Sequence, residues 1–336
     1  MRRFGKSKPE PVEAGDAMPA RVHRGVRIYL TLLISVYAVL LLANIGDIAR
    51  FFEHIWLFGP IGVFGAIIAN STGTGGGVVF VPAFNSLSGA SAMGVIPMEI
   101  SVNPVKTIGI SFLIQCFGMS VGSSVWIDRF YGKGSRTEGR HIDGYTFLAI
   151  VFAVCAATLP ALLLTQYFLF AEVDGSALLT AFKWFSLVLG VVLLVFTWAL
   201  KRSKPNRFHP DHADYYWFLA LGAIGGVITA FFSVGVGELI AVYMILRKYP
   251  TTSAIAVAVV VSVITVLSGV TYHVLNGNIV WPIGLTAIPG AMVGGYVARL
   301  FAAWLGPLWL KTFASLWIIF SSGFLIVGPS LGLLSK

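Results

Sequence analysis

Long apolar runs separated by short polar loops fill most of this chain, and two of the runs are cut in the middle. A first run covers 28–45. The others lie at 55–69, 78–88, 105–126, 145–169, 178–200, 215–232, 239–246, 252–275, 280–304 and 309–328. About 20 apolar residues cross the hydrocarbon of a bilayer as a helix, so most of these runs are full spans. Two pairs contain members too short to span alone: 55–69 with 78–88, and 215–232 with 239–246. Each pair flanks a glycine-rich stretch, "NSTGTGGG" at 70–77 and "SVGVG" at 233–237. Each pair is therefore one broken helix crossing once, or a hairpin that returns to its own side.

Charge between the runs separates these two choices. Arg2, Arg3, Lys6, Lys8, Arg21, Arg24 and Arg27 precede the first run, and a basic leader marks the cytoplasmic side. The loop at 127–144 holds Arg129, Lys133, Arg136 and Arg140, so it belongs on the same side. One span out and one span back already meet that requirement. The first cut pair must then be a hairpin entering from outside. Glu172 and Asp174 put 170–177 outside, and Lys201, Arg202, Lys204 and Arg207 put 201–214 inside. Arg247 and Lys248 follow the second pair, making it a hairpin that enters from the cytoplasm.

Composition narrows the class. The chain is 57% hydrophobic and 11% charged, with a mean hydropathy of +0.85 over 336 residues, whereas soluble domains carry about 25% charge. No mass remains for a soluble enzyme domain. The net charge of +9 sits beside spans as a topology signal and does not imply nucleic acid. The basic start and apolar 28–45 resemble a signal peptide, but the polar lead is long and no small-x-small cleavage site follows. Cys116 and Cys155 lie in separate apolar runs, without the spacing of a disulfide scaffold or a metal site. No His, Asp, Cys or Glu constellation with catalytic spacing lies within the spans. His23, His54, His141, His209 and His212 fall in loops, and His273 falls near a helix end. The sequence thus predicts no enzyme, no cofactor and no metal.

The two breaks match each other. Placing Gly73 and Gly75 over Gly235 and Gly237 gives an offset of 162, which also pairs Ser71 with Ser233. The expected fold is an all-α integral membrane protein of two inverted repeats, 55–200 and 215–331. Each is a glycine-rich hairpin plus three transmembrane helices, an odd number that turns the second repeat upside down. A basic cytoplasmic segment at 1–27, an extra helix at 28–45 and a cytoplasmic linker at 201–214 complete the chain. Inverted repeats with broken helices meeting near the bilayer midplane are a plan of secondary transporters. Unwound backbone at that depth is tolerated where protein or a watery cavity satisfies it. Glycines that serve helix packing alone are the simpler reading, but packing does not require Asn70, Ser71, Thr72 and Thr74 among them.

At these residues the sequence resembles the TauE/SafE-like sulfite exporter family, also called toluene sulfonate uptake permeases. Gly73-Thr74-Gly75-Gly76-Gly77 followed by Val81-Pro82 matches the family's "GxGGG" signature. Gly235-Val236-Gly237-Glu238 departs from it at the third glycine. The resemblance covers about 55–330. It implies a plasma-membrane transporter of a small organosulfur anion such as sulfite, sulfoacetate or a related sulfonate. A small carboxylate or inorganic anion, or an anion channel, is the alternative.

The residues suggest how such an anion would be held. Half-helices starting near Gly77 and Glu238 aim their N-termini, with unpaired N–H donors, at the breaks. The expected binding set is Asn70, Ser71, Thr72, Gly73, Thr74, Gly75, Gly76, Asn103, Lys106, Ser233, Gly235 and Gly237, with Gln115, Ser262 and Thr265 lining the cavity. The hydroxyls equally suit helix capping, and Lys106 equally suits snorkelling to the interface. Asn103 before Pro104 also reads as a plain helix start. Lys183, Arg299 and Lys311 read as interfacial. Glu238 either stabilises its helix N-terminus or couples transport to a proton that it carries when substrate binds. Lipid is the expected surroundings, and glycine-lined helices suit a homodimer.

Overall fold

The computed structural model describes residues 19–44, 46, 48–92, 102–131, 141–199 and 205–331. The basic clusters at Arg2 to Lys8, Lys133 to Arg140 and Lys201 to Lys204 lie outside them. Among the described residues there are eleven α-helices, which we number α1 to α11. They are α1 (Pro19–Ala43), α2 (Ile48–Thr72), α3 (Gly77–Ala92), α4 (Pro104–Tyr131), α5 (Gly144–Phe168), α6 (Gly175–Ala199), α7 (His212–Phe232), α8 (Val236–Leu246), α9 (Thr251–Leu275), α10 (Trp281–Leu305) and α11 (Pro307–Val327). Eight are long and apolar enough to cross a membrane; the apolar parts of α2 and α8 are shorter. Their apolar side chains point outward as well as into the interior, as in α5, where Tyr145, Leu148, Phe152 and Leu164 are exposed.

Both interrupted pairs fold back on themselves. The rings of Phe58 in α2 and Phe84 in α3 lie 6.1 Å apart, and Gly65 packs against Phe80. In the second pair Gly225 packs on Val236, and the rings of Phe218 and Tyr243 are 5.4 Å apart.

The helix ends sort into two groups. At one, which we call the Arg207 end, Ile142 N–H donates to Ser253 Oγ at 3.2 Å, joining the approach to α5 with the first turn of α9. Trp198 and Trp309, 6.3 Å apart, join the end of α6 to the start of α11 there. At the other, the Asn278 end, Gly109 of α4 packs on Asn278. There too Val102 N–H, just before α4, donates to Ser88 Oγ of α3 at 3.3 Å. Helices α4 and α9 run through the middle and are the most buried spans. α1 lies along the outside, with Tyr29 Oη 2.7 Å from Ser120 Oγ and Tyr37 Oη donating to Leu285 O at 3.0 Å.

A polar latch holds the open end of the second hairpin. Asp214, fully buried, accepts from Tyr243 Oη at 2.6 Å, Tyr249 Oη at 2.8 Å, Arg207 at 2.6 Å and Arg247 at 2.7 Å. It ties the start of α7 to the end of α8. Arg207 and Arg247 also reach Asp211 at 2.8 and 3.1 Å, and the Arg207 hydrogen bond holds the exposed Asp211 carboxyl below the usual carboxylate range. Asp214→Asn leaves the two guanidiniums short of a charged partner, and each charged hydrogen bond lost costs about 1.5–3 kcal/mol. We expect the melting temperature of the purified protein to fall; an unchanged value would show the latch to be ornamental.

Candidate functional site

The two hairpins touch at their tips, and the local backbone explains why they can. α2 stops because Gly73, with φ +79°, takes the left-handed conformation that a helix C-terminus favours, its N–H still donating to Ala69 O at 3.1 Å. α7 stops the same way at Ser233, with φ 59° and N–H to Thr229 O at 2.8 Å. The structural counterpart of Gly73 is thus Ser233, an offset of 160. This corrects the register of 162 obtained by laying glycine over glycine: the backbone demands a left-handed residue, and serine supplies it.

Two side chains stitch the tips together. Glu238, at the third position of α8 and fully buried, accepts Gly235 N–H at its Oε2 and Gly75 N–H at its Oε1, both at 2.8 Å. One amide comes from each break. Gln115, in the middle of α4, accepts Gly76 N–H at 2.7 Å and donates to Ser233 Oγ at 2.7 Å and Ser233 O at 3.1 Å. The donors that the sequence offered to a solute are therefore present at the meeting point, and in this state Glu238 and Gln115 hold several of them. Backbone packs on backbone here: a Cβ on Gly77 would lie 2.7 Å from the carbonyl oxygens of both Phe232 and Ser233.

The other expected residues divide. Thr72 and Thr74 share a hydroxyl contact of 2.7 Å and line a cavity of about 160 Å³ beside Glu238. That is well above the ~10–15 Å³ that a single water needs. Ser71 bonds back to Ile67 O at 2.5 Å and Asn70 to Ala66 O at 2.8 Å, so both satisfy the last turn of α2. Asn70 Oδ1 and Ser262 Oγ are buried without a partner, the latter 2.5 Å from where a Cβ on Gly237 would stand. Gly237 itself packs on Gly73 O. Thr265 bonds its own helix at Val261 O, 2.8 Å away. Asn103 and Lys106 are not brought to the breaks. Asn103 Oδ1 caps α4 by accepting Lys106 N–H at 2.8 Å, and Lys106 stands nine residues, roughly 14 Å of helix, before Gln115.

Sequence reasoning missed one residue. Lys311 of α11, expected at the interface, lines the same cavity as Thr72, Thr74 and Glu238. Its spacing from Leu308 and Ser315, at i, i+3 and i+7, was the available signal of a shared face.

Helices of this length and hydropathy, gathered around two touching breaks of unwound backbone, make this a multi-pass integral membrane protein. The chain belongs to the sulfite exporter TauE/SafE family, whose model matches residues 87–325. It is therefore a membrane transporter by family. The match begins after the first break, so the part played by Gly73 to Gly77 rests on the geometry above. The chain is also 21% identical over 248 residues to the probable membrane transporter protein YunE of Bacillus subtilis (strain 168), covering 70% of this chain and 84% of that protein. No solved structure matches it.

Proposed function

We propose that the protein is a secondary transporter of a small organosulfur anion, held near the bilayer midplane by the backbone amides of the two breaks. The carrying observation is that Gly75 and Gly235, one from each hairpin, already donate to a single carboxylate, Glu238. A pair of amides that holds an internal anion is chemically suited to an external one, with few full charges buried in the bilayer. The hairpins belong to two repeats of opposite orientation, at 55–200 and 215–331. In support, the open end of the second hairpin lies at the Arg207 end, while α3 ends beside the start of α4. We read the Arg207 end as cytoplasmic, because its basic residues follow the positive-inside rule, and the membrane as the plasma membrane, as the resemblance implies. Substrate binding displaces Glu238, which takes up a proton as it leaves the amides; that proton couples transport.

A small carboxylate is the second reading, favoured because the present occupant of the amides is itself a carboxylate. A thermal-shift panel separates the two. A ligand at 100 times its dissociation constant stabilises by about 2.7 kcal/mol, so the substrate should raise the melting temperature clearly. We expect sulfite or sulfoacetate to do so, and zwitterionic taurine not. Stabilisation by acetate without response to any sulfur anion would move the assignment to carboxylates. Thr74→Val, which removes a cavity hydroxyl while keeping its shape, should weaken affinity several-fold, on the order of the ~1 kcal/mol of one hydrogen bond, and so reduce the shift at a fixed ligand concentration.

A further inference from the structure

The cavity beside Glu238 runs toward the Arg207 end. On α8 it is lined by Glu238, Ala241, Val242 and Ile245, a single face that descends seven residues, about 10 Å, to the end of that helix. On α11 it is lined by Leu308, Lys311, Ala314 and Ser315, in the first turns after Pro307. Both helix ends belong to the Arg207 end, so this is a route from that face to the breaks. Resting on the transporter reading above, we propose that Lys311 forms an entry subsite on this route. An anion arriving from the Arg207 end pairs with its ammonium before taking the two amides from Glu238.

Three observations carry this. An ammonium in a membrane-embedded wall is costly unless something compensates it, yet the Lys311 side chain has no hydrogen-bond or ion-pair partner among the described residues, its one bond being Ser315 Oγ to its backbone carbonyl. Glu238, the other titratable group in the cavity, is engaged by the amides of Gly75 and Gly235 and makes no ion pair with Lys311. A snorkelling lysine would carry its charge to the interface, whereas Lys311 shares the cavity with Thr72 and Thr74 of the first break and with Glu238 beside the second. Of the remaining walls, Leu193 and Phe196 of α6 with Val242 and Ile245 are apolar, and Thr197 and Thr251 add the only other polar side chains of that lining. The subsite therefore takes an anion with one charged head and a small apolar tail.

The test is binding of propanesulfonate to the full-length protein in lipid nanodiscs, followed from pH 5 to 8, over which the probe keeps its charge. Lys311→Met should weaken binding at least about tenfold, and Lys311→Arg should keep it within about threefold. The ligand-free Met variant should melt no lower than wild type, since an uncompensated charge has gone. Equal binding by wild type and Lys311→Met, or equal losses in the Met and Arg variants, would overturn the subsite. A Met variant that binds weakly yet keeps the wild-type pH profile would show that the amide site survives and the entry subsite alone is lost. If Lys311→Met and Glu238→Gln both leave binding untouched, the anion site itself is refuted.

Discussion

Glu238→Gln should bind an alkyl sulfonate at least about tenfold more tightly than wild type at pH 8, and its affinity should no longer vary with pH. In the wild type the substrate competes with a carboxylate for the N–H groups of Gly75 and Gly235. Hydrogen bonds to an ionised acceptor contribute about 1.5–3 kcal/mol, against about 0.5–1.5 for neutral pairs. An ionised Glu238 is thus the stronger competitor by roughly 2 kcal/mol across two bonds. The sign follows. Wild-type affinity is highest where Glu238 is protonated and falls as rising pH ionises it, while glutamine holds the amides weakly at every pH. Because the variant carries no proton, it should bind but fail to accumulate sulfonate in proteoliposomes under a pH gradient. Wild-type pH dependence in the variant would remove Glu238 from the mechanism.

Gly77→Val should abolish binding and lower the melting temperature more than Asp214→Asn, Thr74→Val or Glu238→Gln. Its Cβ would meet the carbonyl oxygens of Phe232 and Ser233 at 2.7 Å. These are backbone atoms of the opposing break, with no rotamer to turn aside. Overpacking costs typically 1–3 kcal/mol even where neighbours can shift. Here the relief is separation of the tips, which takes Gly75 away from Glu238. Gly323→Ala is the control: a Cβ there meets nothing within 4 Å, and glycine inside a helix is worth about 0.5–1 kcal/mol less than alanine. That variant should be as stable as wild type or more so, with unchanged binding. A Gly77→Val protein that binds normally would show that the tips are not jointly the site.

Much of this was legible in the sequence, because bilayer thickness imposes lengths that apolar runs must meet. The run at 215–232 is α7 trimmed by three residues, and the run at 239–246 is α8 trimmed by the same amount. Basic loops favoured hairpins, and within each pair the helices on either side of the break pack on each other. Two kinds of fact stayed hidden. Backbone conformation was one: glycine identity suggested an offset of 162, but the left-handed residue ending α7 is Ser233, which composition does not mark. Tertiary contact was the other. Glu238 reaches across 163 residues to Gly75, and Lys311 meets the breaks only because α11 packs beside α6 and α3. Lys106 shows the converse error. It follows the first hairpin in sequence, yet it stands nine residues of helix, about two and a half turns, before Gln115.

Substrate and Glu238 compete for the same two amides, one from each hairpin, and proton uptake on binding reports that competition. Titration calorimetry of propanesulfonate at pH 8, repeated in buffers of different ionisation enthalpy, counts protons taken up per anion bound. Close to one is expected for wild type and none for Glu238→Gln. Binding of the sulfonate to wild type with no proton uptake across pH 5 to 8 would contradict the claim.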